Sequence, residues 1–180
     1  MQVVVVGGGP AGMMAAGVAA EAGAKVYLVE KNKQLGRKLR ITGKGRCNVT
    51  NACDHDALIS SVVTNGRFLH SAFRRFSNMD TMQFFEERGV PLKIERGNRV
   101  FPQSDAAGDV VSALHTWLLE KGVRIVNKKV ERIVLKDGKV HGVMFSERGV
   151  LADAVVIATG GASYPQTGST GDGYRFAKET

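Results

Sequence analysis

Three glycines near the amino terminus constrain the fold of this chain more than any other feature of its sequence. Gly7, Gly9 and Gly12 follow the spacing G-x-G-x-x-G, directly after the β-branched run Val3–Val6. Four β-branched residues in succession favour a strand that is buried on both faces, as in a parallel sheet. The first glycine permits a tight turn, the second lets a phosphate approach the backbone, and the third lets a helix pack closely on a strand. The pattern therefore predicts a strand, a turn and a helix that begins near Pro10.

An alanine-rich segment, a second apolar run and an acid complete this unit. Residues 10–22 favour a helix packed on a sheet, and Gly23 is placed to end that helix. Val26–Val29 favours a second strand, and Glu30 follows it, eighteen positions after Gly12. An acid about 20 residues beyond the glycines is the usual partner of a ribose hydroxyl, and a helix amino terminus suits a pyrophosphate. The unit predicts a dinucleotide site; the alternative is a βαβ unit whose turn binds no ligand.

The charge of the chain is concentrated in one stretch. The formal net charge is +8, and seven Lys or Arg lie between Lys31 and Arg46 with no acid among them. Such a stretch suits the phosphates of a cofactor, nucleic acid or an anionic membrane, or it is a solvated basic loop. It is not the phosphate loop of an NTPase, because Gly45 stands where that motif needs Ser or Thr.

Cysteine usage and hydropathy narrow the class of protein further. Cys47 and Cys53 are too few for a disulfide framework and lack a C-x-x-C metal pattern. No segment is apolar over the length that a membrane helix requires. We therefore expect reduced thiols, no metal site, no membrane partner and a cytoplasmic protein.

After Glu30 the chain departs from a plain doubly wound domain, in which one more helix would lead to the third strand. Residues 36–104 intervene instead, and they begin with a glycine- and base-rich loop. The patterns beyond that loop predict helices over about Asp80–Arg88 and Ala106–Lys121, with a short strand and turn at 99–104. Trp117 shares the apolar face of the second helix, so we expect it in the core rather than stacked on a ligand.

The last third of the chain predicts a further strand, a hairpin and a final buried strand. Val123–Val126 is the predicted third parallel strand, and two alternating segments, 130–135 and 139–145, flank an Asp137-Gly138 turn. The run Ala154–Ile157 predicts a buried strand, which ends in small residues that let a ligand lie against the backbone. Asp172 is expected to cap a helix that starts near Gly173.

This order of elements is the layout of FAD-binding domains of the glutathione-reductase type. Two tracts make the resemblance specific: GRKLRITGKGRCNVTN at 36–51 and ATGGASYPQTGSTGDGYRFA at 158–177. Together they resemble the BaiN/RdsA-like NAD(P)/FAD-dependent oxidoreductases, the group that also holds aminoacetone oxidases. The resemblance covers residues 1–180. The resemblance implies an α/β fold. More closely, it implies a Rossmann-like FAD/NAD(P)-binding domain that contains a parallel sheet and a β-meander insertion.

The resemblance also implies cofactor contacts along the whole chain. The pyrophosphate of FAD would contact Gly7, Gly9, Ala11 and Gly12. The adenosine ribose would contact Glu30, and the adenosine and phosphate end would lie near Lys31 and Lys38. The path towards the isoalloxazine ring would follow Thr42, Gly43, Gly45, Arg46, Cys47 and Asn48. Val130 would contact adenine through its backbone, and the ribityl and phosphate chain would pass Ala158, Thr159 and Gly160. No catalytic acid or base can be assigned, and the catalytic residues are unknown at this point.

By resemblance, the chain is an FAD-dependent oxidoreductase that transfers a hydride or electrons between a small organic substrate and NAD(P)H or molecular oxygen. Family members are longer than this chain, so residues 1–180 would form an incomplete FAD-binding domain. The substrate domain and a C-terminal return segment would then lie outside it, and we expect self-association or pairing with that second half. A separate NAD(P) domain is not expected, since no second G-x-G-x-x-G follows residue 31.

Two other functions stay open. A basic nucleic-acid-associated protein is suggested by residues 31–46 with Arg67, Arg74 and Arg75, although the basic stretch lacks interleaved aromatic residues. We therefore do not expect a nucleic-acid partner. A non-catalytic nucleotide-binding fragment is the other alternative.

Overall fold

The computed structural model describes residues 1–180, which form two compact units. The first unit comprises Met1–Lys38 and Leu114–Thr180, and the second comprises Leu39–Ala113. The strands are β1 (Gln2–Val6), β2 (Lys25–Glu30), β3 (Thr50–Asn51), β4 (Leu92–Glu95), β5 (Arg99–Pro102), β6 (Arg124–Asn127), β7 (Arg132–Lys136), β8 (Lys139–Met144), β9 (Gly149–Leu151) and β10 (Ala154–Ile157). The helices are α1 (Pro10–Glu21), α2 (His55–Ser60), α3 (His70–Arg75), α4 (Asn78–Glu86), α5 (Ala107–Glu120) and α6 (Asp172–Glu179).

A four-stranded parallel sheet organises the first unit, with the order β10-β1-β2-β6. Its central strand β1 is buried on both faces, as the β-branched run predicted: Val4 and Val5 are both fully buried. The register aligns Val6 with Val29 on one side and with Ile157 on the other. The carboxyl ends of three strands therefore meet at one edge of the sheet.

A three-stranded meander, β7-β8-β9, lies against the parallel sheet within the first unit. Its turn at Asp137 and Gly138 has φ values of 52° and 71°, which is the left-handed geometry that the hairpin pattern predicted. The shared core brings together residues of the sheet, the meander and α6, namely Val4, Val6, Val29, Val130, Ile133, Val143, Phe145, Ala152 and Phe176.

Helix α1 packs closely on its neighbours because of one glycine. A side chain at Gly17 would run into the ring of Trp117, a residue of α5. Trp117 is only 2% exposed, and its indole N–H donates to Glu21 at 3.1 Å. The expectation that Trp117 belongs to the core is confirmed.

The second unit contains the antiparallel sheet β3-β5-β4 and the short helices α2, α3 and α4. Helix α4 begins two residues before the predicted start. Ser77 and Asp80 form a reciprocal capping box, in which the Ser77 N–H donates to Asp80 at 2.7 Å and the Asp80 N–H donates to Ser77 at 3.0 Å. Asp80 is thus the third helical residue rather than the first.

Two predictions for the last third of the chain were wrong. Strand β10 is not buried throughout: Val156 and Ile157 are 38% and 40% exposed, because β10 is an edge strand with a neighbour on one side only. Asp172 does not cap α6 with its side chain. Gly171, at φ 77°, occupies the cap position, and Asp172 is the first helical residue. No helix in the chain is both long and apolar enough to cross a membrane.

Candidate functional site

A cavity of about 680 Å³ opens at the carboxyl ends of β1, β2 and β10, and all of its lining residues belong to the first unit. Ligands of open α/β sheets bind at this edge, because the loops that follow the strands converge there. Two short backbone bonds draw the strands together at the cavity. The Gly7 N–H donates to the Val29 carbonyl at 2.8 Å, and the Ala158 N–H donates to the Val6 carbonyl at 2.8 Å.

The three glycines of the fingerprint differ in what a larger residue would meet at each position. Gly7 has φ 109°, and a Cβ there would strike the Ala158 carbonyl. A Cβ at Gly12 would strike the Gly7 carbonyl. Gly9, in contrast, has φ −77° and ψ −179°, which any residue can adopt, and nothing lies within 4 Å of where its Cβ would stand. Because Gly9 lines the cavity, a side chain there would fill only the cavity.

The amino terminus of α1 points its unsatisfied donors towards the same cavity. Pro10 and Ala11 line it, and Gly9 precedes the helix without offering a side-chain cap. The first helical hydrogen bond is the one from the Met13 N–H to the Gly9 carbonyl, at 2.9 Å. The N–H groups of Ala11 and Gly12 therefore stay free, and the helix dipole favours an anion beside them.

Glu30 ties the end of β2 to the glycine loop. Its Oε2 accepts from the Gly8 N–H at 2.6 Å, and its Oε1 accepts from the backbone N–H and the side-chain amide of Asn32 at 2.7 and 2.6 Å. A carboxylate has about four acceptor positions, so three bonds within the protein leave room for a ligand hydroxyl.

The segment after Glu30 forms one wall of the cavity. Lys31 Nζ lies 2.6 Å from Asp172 Oδ2 and 2.7 Å from the Thr170 hydroxyl. Lys38 Nζ donates to the Ser163 carbonyl at 2.9 Å. More cationic than anionic side chains line the cavity, and this surplus of positive charge suits phosphate. The five cationic residues are Lys31, Arg37, Lys38, Lys128 and Lys129, and the two anionic ones are Glu30 and Asp172.

The opposite wall is made by the small residues after β10 and by the start of α6. The Thr159 hydroxyl is buried and has no hydrogen-bond partner in the chain. A buried hydroxyl without a partner is rare and marks a place for a ligand or a water. At Asp172, burial opposes the charge, but the hydrogen bonds from Lys31 and Thr170 outweigh it and hold the pKa of this carboxyl below its usual range.

Most of the residues implied by resemblance line this cavity: Gly7, Gly9, Ala11, Glu30, Lys31, Lys38, Val130, Ala158, Thr159 and Gly160. Gly12 does not line it, since it lies against the Gly7 carbonyl and serves the packing of α1. The residues Thr42, Gly43, Gly45, Arg46, Cys47 and Asn48 belong to the second unit. Their contact with a cofactor stays a prediction.

The loop of the second unit has an unusual backbone. Gly43, Lys44 and Cys47 have φ values of 56°, 59° and 66°, which are left-handed. A Cβ at Gly43 would lie 2.7 Å from the Phe101 ring. Such backbone persists only where the surroundings enforce it, and it recurs at ligand-binding loops.

Arg46 is engaged within the second unit. Its NH1 group donates to Glu95 at 2.8 Å and to Asp105 at 3.3 Å, and its guanidinium lies 4.1 Å from the centre of the Phe101 ring. The hydrogen bond with Glu95 raises the pKa of Arg46 and lowers that of Glu95. A guanidinium has five donors, so these contacts leave others for a ligand.

Several cavity residues were not found from the sequence, chief among them Asn32, Lys128 and Lys129. The side-chain amide of Asn32 donates to the Glu30 carboxylate at 2.6 Å and to the Thr167 carbonyl at 3.5 Å. Its position two residues after the acid was the only local signal. The two lysines precede Val130, and nothing in their own sequence distinguishes them from other surface lysines.

Sequence comparison identifies the family. The description "HI0933-like protein Rossmann domain" matches residues 1–180, the whole chain. The chain belongs to the HI0933-like family. The resemblance to BaiN/RdsA-like proteins and the predicted Rossmann-like fold are thereby confirmed.

Curated relatives of this HI0933-like chain include two enzymes from bacteria. It is 31% identical to the 3-dehydro-bile acid delta(4,6)-reductase of Clostridium scindens, over 97% of the chain and 42% of that protein. It is 30% identical to the ribosomal RNA dihydrouridine synthase of Escherichia coli, over 98% of the chain and 43% of that protein. The HI0933-like chain thus spans less than half the length of these two relatives.

Among solved structures, the HI0933-like chain is similar to the Thermovibrio ammonificans protein THI4. The TM-score is 0.60 at 20% identity, and the match covers 92% of the chain and 60% of that structure. Identity at this level supports a common fold only.

Proposed function

We propose that this HI0933-like domain binds FAD and is the nucleotide-binding part of a flavin-dependent oxidoreductase. The observation that carries the proposal is Gly9. Its backbone conformation suits any residue and no protein atom lies near its Cβ position, yet glycine stands where the cavity meets the amino terminus of α1. A pyrophosphate seated on that helix end would need this space.

The cavity supports each part of the dinucleotide with a different kind of group. The free N–H groups of Ala11 and Gly12 suit the pyrophosphate. The remaining acceptor position of Glu30 suits a ribose hydroxyl, and the unpaired Thr159 hydroxyl suits a polar atom of the cofactor chain. The site residues implied by resemblance, including those of the second unit, are part of this proposal.

FAD, when bound, would supply the chemistry by accepting and giving a hydride. The protein would bind and orient it through the groups described above. One relative is named a reductase, and another is named for dihydrouridine, which is uridine with two hydrogens added. These names favour reduction of the substrate, so we propose NAD(P)H as the electron donor, with molecular oxygen as the alternative electron partner. We also propose a cytoplasmic location, consistent with two free thiols.

The test is FAD binding by the full protein and by Gly9 variants. Wild type should quench flavin fluorescence on titration and release FAD on denaturation. Gly9→Val should stay folded, because its Cβ meets no protein atom and only the preference for glycine at the helix N-cap is lost, but it should lose FAD binding. Gly12→Val is the contrasting variant: its side chain would strike the Gly7 carbonyl, so it should unfold the protein and lose thermal stability as well as FAD binding. Wild type that takes up no FAD would refute the proposal, and retained FAD affinity in Gly9→Val would show that the pyrophosphate does not lie at Gly9.

A second candidate, an oxidoreductase that acts on RNA, is favoured by the surface of the second unit. The stretch from Ala57 to Met79 contains no Asp or Glu. Within it, Phe68 is 83% exposed, and Arg67 and Arg74 are exposed too. Exposed aromatic rings among arginines suit single-stranded nucleic acid, on which bases stack. The sequence alone did not distinguish these exposed rings from core residues. One relative is named a ribosomal RNA dihydrouridine synthase, which also favours RNA as a partner.

Fluorescence anisotropy with a labelled single-stranded RNA tests this candidate. Wild type should bind with an affinity that falls steeply with salt, and Phe68→Ala should weaken binding by roughly 5- to 100-fold, as loss of one stacked base would. Phe84→Leu, a change in a buried ring, should not alter RNA affinity in folded protein. No binding at low salt would remove RNA as a partner.

A further inference from the structure

Three side chains that follow β2 contact the stretch that runs from beyond β10 to the first residue of α6, which we call the 163–172 segment. Lys31 contacts Thr170 and Asp172, Asn32 contacts the Thr167 carbonyl, and Lys38 contacts Ser163. These contacts are spread along the 163–172 segment from its start to its end. They join the two walls of the cavity at separate points.

The Lys31 contact is the strongest of the three by geometry. Lys31 Nζ, Thr170 Oγ1 and Asp172 Oδ2 form a closed triangle, with separations of 2.7, 2.6 and 3.0 Å. The side chains of Lys31 and Asp172 are 26% and 22% exposed, so the pair is partly shielded from water. Opposite charges at hydrogen-bond distance partly cancel each other's attraction for a third charged group nearby.

Lys31 and Lys38 are therefore engaged before any ligand arrives, and Arg37 donates to the Asn32 side chain at 2.8 Å. Two further cations line the cavity without a hydrogen bond or a salt bridge from their side-chain amines, namely Lys128 and Lys129, and Lys129 lies near enough to Asp172 to help lower the pKa of its carboxyl. The surplus positive charge that a phosphate would meet thus comes from residues other than Lys31.

We infer that Lys31 is a positioning residue for the cofactor rather than a direct ligand of its phosphates, and that it acts by fixing Asp172 and Thr170. By the same contacts, Lys38 and Asn32 hold the rest of the 163–172 segment. The held segment sets the start of α6 and the small-residue wall against which a dinucleotide lies. This inference rests on the proposed FAD binding.

A double-mutant cycle in the full protein separates the two roles. FAD dissociation constants are measured for Lys31→Met, Asp172→Asn and the double variant. If Lys31 acts through Asp172, each single change weakens binding and the double variant is no weaker than the worse single variant, because contacting residues couple. If Lys31 instead binds phosphate directly, Lys31→Met raises the FAD dissociation constant by the same factor in the presence and in the absence of the Asp172 carboxylate, and the inference is wrong.

Two matched variants control the cycle. Lys33→Met removes an exposed lysine of the same stretch that does not line the cavity, and it should leave FAD affinity within about 2-fold of wild type. Lys31→Arg keeps the charge beside Asp172 and should restore most of the affinity lost in Lys31→Met. A loss in Lys31→Arg equal to that in Lys31→Met would also contradict the inference.

Hydrogen exchange provides a readout that needs no cofactor. In FAD-free protein, Lys31→Met should speed amide exchange within residues 163–172, and Lys33→Met should not. Unchanged exchange in Lys31→Met would overturn the inference even if FAD binds. Wild type that takes up no FAD would refute the proposed function instead, and the exchange result would still decide whether Lys31 holds the segment.

Discussion

The carboxylate of Glu30 accepts a hydrogen bond of 2.6 Å from the backbone N–H of Gly8, twenty-two residues earlier in the chain. This bond joins the end of β2 to the loop that precedes α1. The same carboxylate accepts two bonds from Asn32. Glu30 therefore shapes the glycine loop from within the protein, besides offering an acceptor to a ligand.

Removal of this carboxylate should weaken FAD binding in two ways. Glu30→Ala leaves the Gly8 N–H without its partner and removes the acceptor for a ribose, so we expect a loss of about 1–3 kcal/mol, or roughly 5- to 150-fold in the dissociation constant. Glu30→Gln keeps an acceptor oxygen and should lose less. Flavin fluorescence titration measures both, with Glu120→Ala, a change at an exposed acid, as the control. Equal affinity of Glu30→Ala and wild type would place the ribose elsewhere.

A methyl group at Gly17 should destabilise the protein without affecting the cofactor. Gly17→Ala directs its Cβ into the Trp117 ring, and overpacking of this kind costs about 1–3 kcal/mol. A chain of this size should then melt roughly 2–12 °C lower. Trp117→Phe leaves more room, so the double variant should lose less than the sum of the two single losses. An unchanged melting temperature of Gly17→Ala would mean that the two helices lie farther apart.

The two thiols should differ in reactivity. Cys47 is fully buried, and burial raises the pKa of its thiol, which a hydrogen bond with Thr42 only partly offsets. Because the thiolate is the reactive form, a thiol reagent at neutral pH should modify Cys53 alone in native protein and both cysteines after unfolding. Cys53→Ser should abolish the native reaction. Rapid modification of Cys47 in native protein would instead fit a redox role for this residue.

Acid should weaken the contact between Lys31 and Asp172. The folded state holds the pKa of Asp172 below its usual range, so the unfolded chain binds this proton at a higher pH than the folded one. The stabilisation is therefore present above a pH of about 4 and is lost as the pH falls through the lower folded value.

Denaturant unfolding at several pH values checks this dependence. The stability of wild type relative to Asp172→Asn should be constant above about pH 5 and shrink below about pH 4. Glu120→Gln, at an exposed acid, should show no such trend relative to wild type. A wild-type advantage at pH 3 as large as that at pH 7 would mean that the ion pair does not control the titration of Asp172.

Much of the fold could be predicted because its signals are local. The valine run, Pro10 and the Asp137-Gly138 turn each carry the conformational preference of their own segment, and β1, α1 and the β7-β8 hairpin formed where expected. The helix that starts at Asn78 was misplaced by two residues although its signal is local as well, since Ser77 followed by Asp80 three positions later is a capping pattern.

The sequence by itself determined most elements of the first unit and the family of the chain, because hydrophobic period, glycine spacing and long tracts are properties of neighbouring residues. Only the tertiary structure decided the partners of Lys31, the exposure of Ile157 and the different roles of Gly7 and Gly9. Each depends on strand register, which brings Val6 beside Val29 and Ile157 from distant parts of the chain. Register is set by the packing of the whole sheet, and no single segment contains it.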